Sequence, residues 1–353
     1  MTSTGLNVFG GVDTHGRTHH AAAIDSAGRL LGDAEFAATA AGYAALLAWL
    51  DAFGAIVKVG VEGTGTYGAG LARHLAAQGL AVIEVDRPDR KTRRRQGKSD
   101  PIDAIAAARA VLAGTATGAP KTRTGPVEAI RALRVARRGA VKARTAALNQ
   151  AHGLLVSAPE VLRTELSGLT TPALVARCAG FRIDTARLLE PVTATKAALR
   201  AIARRIHALE EEIALADTRL RPATATVAPR TAAIFGAGPE VAGQLLVTAG
   251  DNPDRLRSEA ALAHLAGVSP LPASSGRTDR HRLNRGGDRA ANAAIHRIVL
   301  CRMRHHERTR AYVERRTTQG LSKKEIMRCL KRYVVREVHT ALLADFEDLA
   351  GAA

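Results

Sequence analysis

Val8-Phe9-Gly10-Gly11-Val12-Asp13-Thr14-His15 decides how the N-terminal part of the chain is read. It is a short apolar run ending in a carboxylate, and the turn signal Gly16-Arg17 follows at once. A buried strand of this kind delivers Asp13 where the strand leaves the core, because side chains alternate along it. Ala55-Ile56-Val57-Lys58-Val59-Gly60-Val61-Glu62 is a second apolar run ending in an acid. Ser99-Asp100-Pro101-Ile102-Asp103 sets two further acids three residues apart at a helix start, on one face of that helix. A capping role for Ser99 or Asp100 explains one of these acids and leaves the other unexplained. Four carboxylates, Asp13, Glu62, Asp100 and Asp103, at strand ends and on one helical face would make a site for divalent cations such as Mg²⁺ or Mn²⁺.

Outward from the first strand, residues 18–25 and 29–36 read as strands around the turn Ser26-Ala27-Gly28, which completes an antiparallel meander. A helix over 40–53 carries Leu46, Leu47 and Leu50 at helical spacing and stops at Gly54. The strand ending at Glu62, a loop over 63–67, a helix over 68–78 and a strand over 80–85 follow. A three-stranded meander followed by alternating helix and strand is the order of an RNase H-like sheet. Rossmann and flavodoxin-like sheets begin with a strand-helix unit instead. Gly60 to Gly65 lacks the Gly-x-x-x-x-Gly-Lys-Ser/Thr spacing of a phosphate loop. His15, His19 and His20 crowd the first hairpin and read as a solvated turn and an alternating strand rather than as metal ligands.

Charge narrows the partner. Lys and Arg number 51 against 33 Asp and Glu, a formal net charge of +18, and such an excess points to a polyanion, nucleic acid first. The basic run over 87–98 abuts Asp100, so a nucleic-acid backbone drawn to it would lie beside the carboxylates. Aromatic residues are only 3% of the chain, which excludes stacking on many exposed bases and favours phosphate contacts. No apolar run approaches the roughly 18–20 residues of a spanning helix, and the N-terminus lacks the pattern of a signal peptide, so a cytoplasmic protein without a membrane partner is expected. Cys178, Cys301 and Cys329 are odd in number and widely spaced, which suits reduced packing residues and excludes a paired Cys-x-x-Cys zinc site.

At 353 residues the chain accommodates two or three domains. The expected class is α/β plus α: an RNase H-like domain over 1–115, a linker with helical arms over 116–225, and a mostly helical region over 226–353. In the arms, a helix over 127–157 has Ile130, Leu133, Val141 and Leu148 on an apolar stripe, with Arg131, Arg134, Arg137, Arg138, Lys142 and Arg144 largely outside it. A second helix over 193–219 carries Leu199, Ile202, Ile206, Leu209 and Ile213, and the two read as an antiparallel coiled-coil hairpin that dimerises, binds nucleic acid or spaces domains. Ile234-Phe235-Gly236-Ala237-Gly238-Pro239 is a tight turn between helical stretches, either a helix-hairpin-helix whose amides hold a phosphate or a plain interhelical turn. The loop Ala273-Ser274-Ser275-Gly276-Arg277 and a basic segment over 280–289 come next.

Taken in order, these stretches resemble one family: insertion-sequence transposases with an N-terminal DEDD motif in a RuvC-like domain and a C-terminal catalytic serine, described as bridge-RNA-guided recombinases. The marks are Gly11-Val12-Asp13-Thr14-His15, Val61-Glu62-Gly63-Thr64-Gly65-Thr66-Tyr67, Lys98-Ser99-Asp100-Pro101-Ile102-Asp103-Ala104, the turn at 234–239, and Gly267-Val268-Ser269-Pro270 through Ser275-Gly276. The resemblance implies that Asp13, Glu62, Asp100 and Asp103 are the four metal-holding acids. It implies that Ser275, rather than the neighbouring Ser274, is the nucleophile. Phe235 stands where the family turn commonly has Pro, and Asn284-Arg285-Gly286-Gly287-Asp288 is similar to, but departs from, the usual Ser/Thr-Lys-x-Gly-Asn/Asp pattern.

A serine hydroxyl needs activation and the attacked phosphate needs its growing charge balanced, tasks that suit metal-holding acids. The family implies a covalent serine-DNA intermediate, donor and target DNA, a noncoding RNA that reads sequence by base pairing, and a homodimer or homotetramer in the bacterial cytoplasm beside the nucleoid. The rival enzymatic reading is a RuvC-like structure-specific endonuclease that uses water. The rival of another class is a non-catalytic nucleic-acid-binding protein whose acids are structural.

Overall fold

The computed structural model describes residues 6–85, 99–252, 256–277 and 281–351; the basic run over 87–98 lies outside the described residues. Contacts divide the chain into two compact units, Met1–Gly125 with Ala249–Arg257, and Pro126–Thr248 with Ser258–Ala353. The arm helices therefore belong to the same unit as the helices that follow them.

In the first unit, β1 (Asn7–Thr14), β2 (Thr18–Asp25) and β3 (Leu30–Ala37) form the meander, followed by α1 (Ala40–Asp51), β4 (Ala55–Glu62), α2 (Ala69–Ala77), β5 (Val82–Val85) and α3 (Asp100–Leu112). The sheet order is β3-β2-β1-β4-β5, with β1, β4 and β5 parallel and the meander antiparallel. This is the mixed sheet expected of an RNase H-like domain. The β2-β3 turn is closed by Asp25, whose carboxylate accepts from the amides of Ala27 and Arg29 and from Arg29 Nε. Gly28 supplies the positive φ, +78°, that the turn requires. β5 begins two residues later than the apolar run, because the amides of Gly79 and Leu80 are taken by carbonyls at the end of α2.

Alternation sorts the strands into two faces. Val8, Val12, Val59 and Val61 bury against Leu46 and Leu50 of α1 and Leu71 and Leu75 of α2. The intervening residues look the other way: Phe9 packs with Ala107 and Val111 of α3. His19 is fully buried in β2 and stacks on Tyr43, ring centroids 5.6 Å apart, while His20 contacts Asp33 at 2.7 Å.

Among its described residues, the second unit is helical apart from one ribbon of two two-residue strands. α4 (Pro126–Val156) and α7 (Pro191–Val227) run antiparallel, since Arg137 pairs with Asp217, Arg144 with Glu210 and Gln150 with Arg205. Ala147, Ala151, Leu199, Ala203 and Ile206 make their core, joined by Leu166 of α5 (Glu160–Leu166) and by Leu174, Val175 and Cys178 of α6 (Thr171–Ala179). α7 runs well past the expected stop at 219, through Pro222. An interior proline costs about 3 kcal/mol. Burial of Leu220 and Val227 beyond the expected end, at about 1.5–3 kcal/mol each, offsets it.

The remaining elements are α8 (Pro229–Ala233), α9 (Gly238–Ala249), α10 (Glu259–Leu265), β6 (Leu271–Pro272), β7 (His281–Arg282), α11 (Arg289–His305), α12 (Glu307–Thr318) and α13 (Lys323–Gly351). The fully buried Asp345 of α13 holds the start of α8 by accepting from the amides of Arg230 and Thr231 and the Thr231 hydroxyl. The turn between α8 and α9 lies against α11, where Arg302 Nε donates to the Phe235 carbonyl. All three cysteines are unpaired, and burial pushes the Cys178 thiol up.

Candidate metal centre

The site in the first unit is set by two glycines that lie side by side. Gly11 of β1 and Gly60 of β4 are register partners. A Cβ on Gly11 would sit 2.2 Å from the Ala104 carbonyl oxygen and 2.2 Å from the Ala108 nitrogen. One on Gly60 would be 2.6 Å from Val111 and 2.9 Å from the Ala107 carbonyl oxygen. Real Cβ atoms do not come so close to backbone, so α3 lies directly on the sheet only because both positions lack a side chain.

That contact carries the acids with it. Asp13 and Glu62 each follow their glycine by two residues, so both point to the α3 face. Ala104 and Ala108, on Gly11, share a stripe of α3 with Asp100; Ala107 and Val111, on Gly60, share one with Asp103, in each case at helical spacings of four. The N-terminal turn of α3 is thereby brought over the C-terminal ends of β1 and β4. Thr14 Oγ1 donates to the Glu62 carbonyl oxygen at 2.9 Å and ties the two strand ends together.

Asp13, Glu62 and Asp103 are buried, and Asp100 is half-buried. His15 Nδ1 lies 3.9 Å from Asp13 Oδ2, and its Nε2 lies 4.0 Å from Asp100 Oδ1. Asp13, His15 and Asp100 each offer a ligand atom, and these atoms all lie within 4.8 Å of one another. Burial pushes the Asp13 carboxyl up, His15 pulls it down, and Asp103 and Asp100 push it up again. Crowded acids, among them Asp13 with its raised proton affinity, together with an imidazole nitrogen, are a donor set that fits a divalent cation. Sequence reading set His15 aside as part of a turn. The signal for it was its place two residues beyond Asp13, on the same side of the extended chain.

Ser274 and Ser275 lie in the second unit, exposed, in the loop after β6, and Gly276 adopts φ +56°. Nearby, Asn284 Nδ2 contacts Ser269 Oγ at 3.3 Å and its Oδ1 accepts from the Gly286 amide. Asp288 caps α11 through the amides of Ala290 and Ala291 and accepts from Thr248 Oγ1 at 2.6 Å.

Residues 10–158, which include the four acids, match a family model for DEDD-type IS110 transposases, described as "Transposase". Residues 229–314, which include Ser275, match the model described as "Transposase IS116/IS110/IS902 family". The chain belongs to the IS110-type transposases. Together the two matches span more than half of this transposase, in the order the motifs predict. No curated protein matches it. The match to a DEDD-type domain points to a dependence on divalent metal, and the family acts on DNA in the movement of an insertion sequence. Among the described residues, no helix of the transposase is long and apolar enough to cross a membrane.

Proposed function

We propose that the protein is a site-specific DNA recombinase that cuts and rejoins DNA through a serine-DNA intermediate, with Mg²⁺ or Mn²⁺ held by Asp13, Glu62, Asp100 and Asp103. The observation that carries this reading is the seating of α3 on Gly11 and Gly60, which draws Asp100 to Asp13 at the strand ends. His15 joins the acids as an orienting or ligating group. When bound, the metal balances charge on the attacked phosphodiester. Ser275 supplies the nucleophile: its Oγ–P bond forms as the bond from phosphorus to a deoxyribose oxygen breaks, the serine proton is lost, and the leaving oxygen is protonated. The number of phosphoester bonds is unchanged, so religation by the reverse attack needs no external energy source.

The family's division of labour assigns sequence choice to a noncoding bridge RNA that pairs with donor and target DNA, while the protein holds backbone and shape. The antiparallel helices α4 and α7 serve as a coiled-coil arm for assembly into a dimer or tetramer, and the turn at 234–239 serves as a helix-hairpin-helix. The test of the metal site is replacement of each acid in turn by Ala, with strand cleavage measured against Mg²⁺ and Mn²⁺ concentration. Cleavage should be lost in every variant while the fold is kept. Normal recombination by Asp100→Ala and Asp103→Ala would refute the site.

A further inference from the structure

The second unit holds a cavity of about 1090 Å³ between the loops 267–270 and 281–289, the first turns of α11, and α13. Its glycines are there for backbone contact. Gly287, at φ +84°, leaves no room for a Cβ, which would lie 2.5 Å from the Leu265 carbonyl oxygen, and Gly267, at φ +62°, would meet that of Gly286 at 2.5 Å. The two loops are therefore locked together as one wall. Asn292 completes it, since its Nδ2 donates to the carbonyls of Ala266 and Gly267 at 3.0 and 3.1 Å.

The charge lining this cavity is mainly positive. Arg282, Arg285 and Arg328 line it, as does the half-buried Lys331, which reaches from α13 to Asn292 Oδ1 at 2.7 Å. Burial alone pushes the Lys331 ammonium down, with no carboxylate pulling it back. His296, one turn after Asn292 on the same face of α11, has a buried Nδ1 without a hydrogen-bond partner among the described residues. Burial and the neighbouring Lys331 both push that imidazole down. Among the described residues two acids line the cavity, and both are already engaged: Asp288 by two amides and the Thr248 hydroxyl, and Glu325 by the amide and hydroxyl of Ser322. Arg332 also lines the cavity; its Nη2 pairs with Glu259 at 3.0 Å, while its buried Nη1 has no hydrogen-bond partner among the described residues. A desolvated cation without a counter-charge is costly to keep unless an anion completes it.

We propose that this cavity binds a phosphodiester of a nucleic-acid strand, with Lys331 as the cationic anchor, His296 beside it and the arginines at its mouth holding flanking phosphates. The proposal rests on the transposase reading for the class of ligand. It is separate from the acid site, and it assigns a role to α13, which lies beyond both matched stretches.

The test is binding of labelled oligothymidine DNA and oligouridine RNA to the full chain, by fluorescence anisotropy over a salt series in the presence of a chelator. The chelator keeps strand cleavage, and hence the fate of the acid site, out of the reading. Lys331→Met should weaken binding of at least one of the two probes about tenfold and lower the slope of log affinity against log salt by about one, whereas Lys331→Arg should restore both. Lys323→Met, an exposed charge loss on the same helix, should change affinity far less. Unchanged affinity in Lys331→Met for both probes, or an equal loss in Lys323→Met, would overturn the proposal. A second measurement on the unmodified protein guards against misfolding of the variants. Acylation of Lys331 by an amine reagent, read by mass spectrometry, should be suppressed by the oligonucleotide, and equal labelling with and without it would overturn the proposal equally.

Discussion

The two units both bury charge at a glycine-built contact, and they bury opposite signs. In the first, Gly11 and Gly60 let α3 rest on a sheet, and burial together with the neighbouring acids makes the Asp13 carboxyl hold its proton more tightly than usual. In the second, Gly267 and Gly287 lock two loops against each other, burial makes Lys331 hold its proton more loosely, and burial with the neighbouring Lys331 does the same to His296. In each case close backbone packing brings like charges together, and the proposed partners are of the other sign: a divalent cation for the acids, a phosphate for the bases. The sheet fixes the acids through register and alternation. The cavity fixes its bases through long-range helix packing, which leaves no short motif behind.

The largest effect expected on this comparison comes from the acids. Asp100→Ala should lower strand cleavage on the order of 10²–10³-fold, the usual loss when a group stabilising transition-state charge is removed, with nucleic-acid binding kept. A rate assay at saturating DNA checks it, and a loss confined to affinity would merge the two regions into one binding surface.

Next in size, Gly11→Ala should destabilise the first unit by about 1–3 kcal/mol, because overpacking here meets backbone rather than a movable side chain. Thermal unfolding should show it, and metal affinity should fall in parallel as α3 is displaced. A variant that melts lower yet binds metal normally would mean that the glycine pair does not position the acids.

For the basic region, nucleic-acid affinity should fall roughly tenfold or more between about 50 and 200 mM salt, as phosphate neutralisation requires. A flat response would remove the electrostatic half of the contrast. The smallest effect is a control outside both sites. Gly139 lies in the exposed interior of α4, and a Cβ there meets nothing within 4 Å, so Gly139→Ala should raise the stability of the second unit by up to about 1 kcal/mol.

Much of the first unit was legible because its signals are local. Strand ends, turn glycines and the start of α3 each sit in a run of a few residues, and the period-two pattern placed Asp13 and Glu62 at strand ends. What local pattern did not disclose is why Gly10-Gly11 occurs inside a strand: that requires knowing that Gly60 is its register partner and that an alanine-rich helix crosses there. His15 was passed over for a similar reason, since its link to Asp100 spans a large sequence gap. In the second unit the helices were visible as apolar stripes, but the stretch between α4 and α7, whose Leu166, Leu174 and Phe181 join the core of those two helices, carried no pattern strong enough to read. The charge count misled in one respect. Arg131, Arg134, Arg137 and Arg144 look available for phosphate, yet Arg134, Arg137 and Arg144 pair with Glu240, Asp217 and Glu210 on other helices and Arg131 pairs with Glu128 within α4, so much of the basic face of α4 is engaged inside the protein. Lys331 was unreadable from sequence because a lysine in a basic helix turn carries no sign of burial.

Mass spectrometry of the denatured, nuclease-trimmed product of a reaction with DNA from the ends of the element tests the central claim most directly. The expected result is a nucleotide linked through phosphate to Ser275, present with Ser274→Ala, absent with Ser275→Ala, and absent when Asp13 or Asp100 is replaced. A nucleotide on Ser274, or metal-dependent cleavage with no serine modified at all, would contradict it.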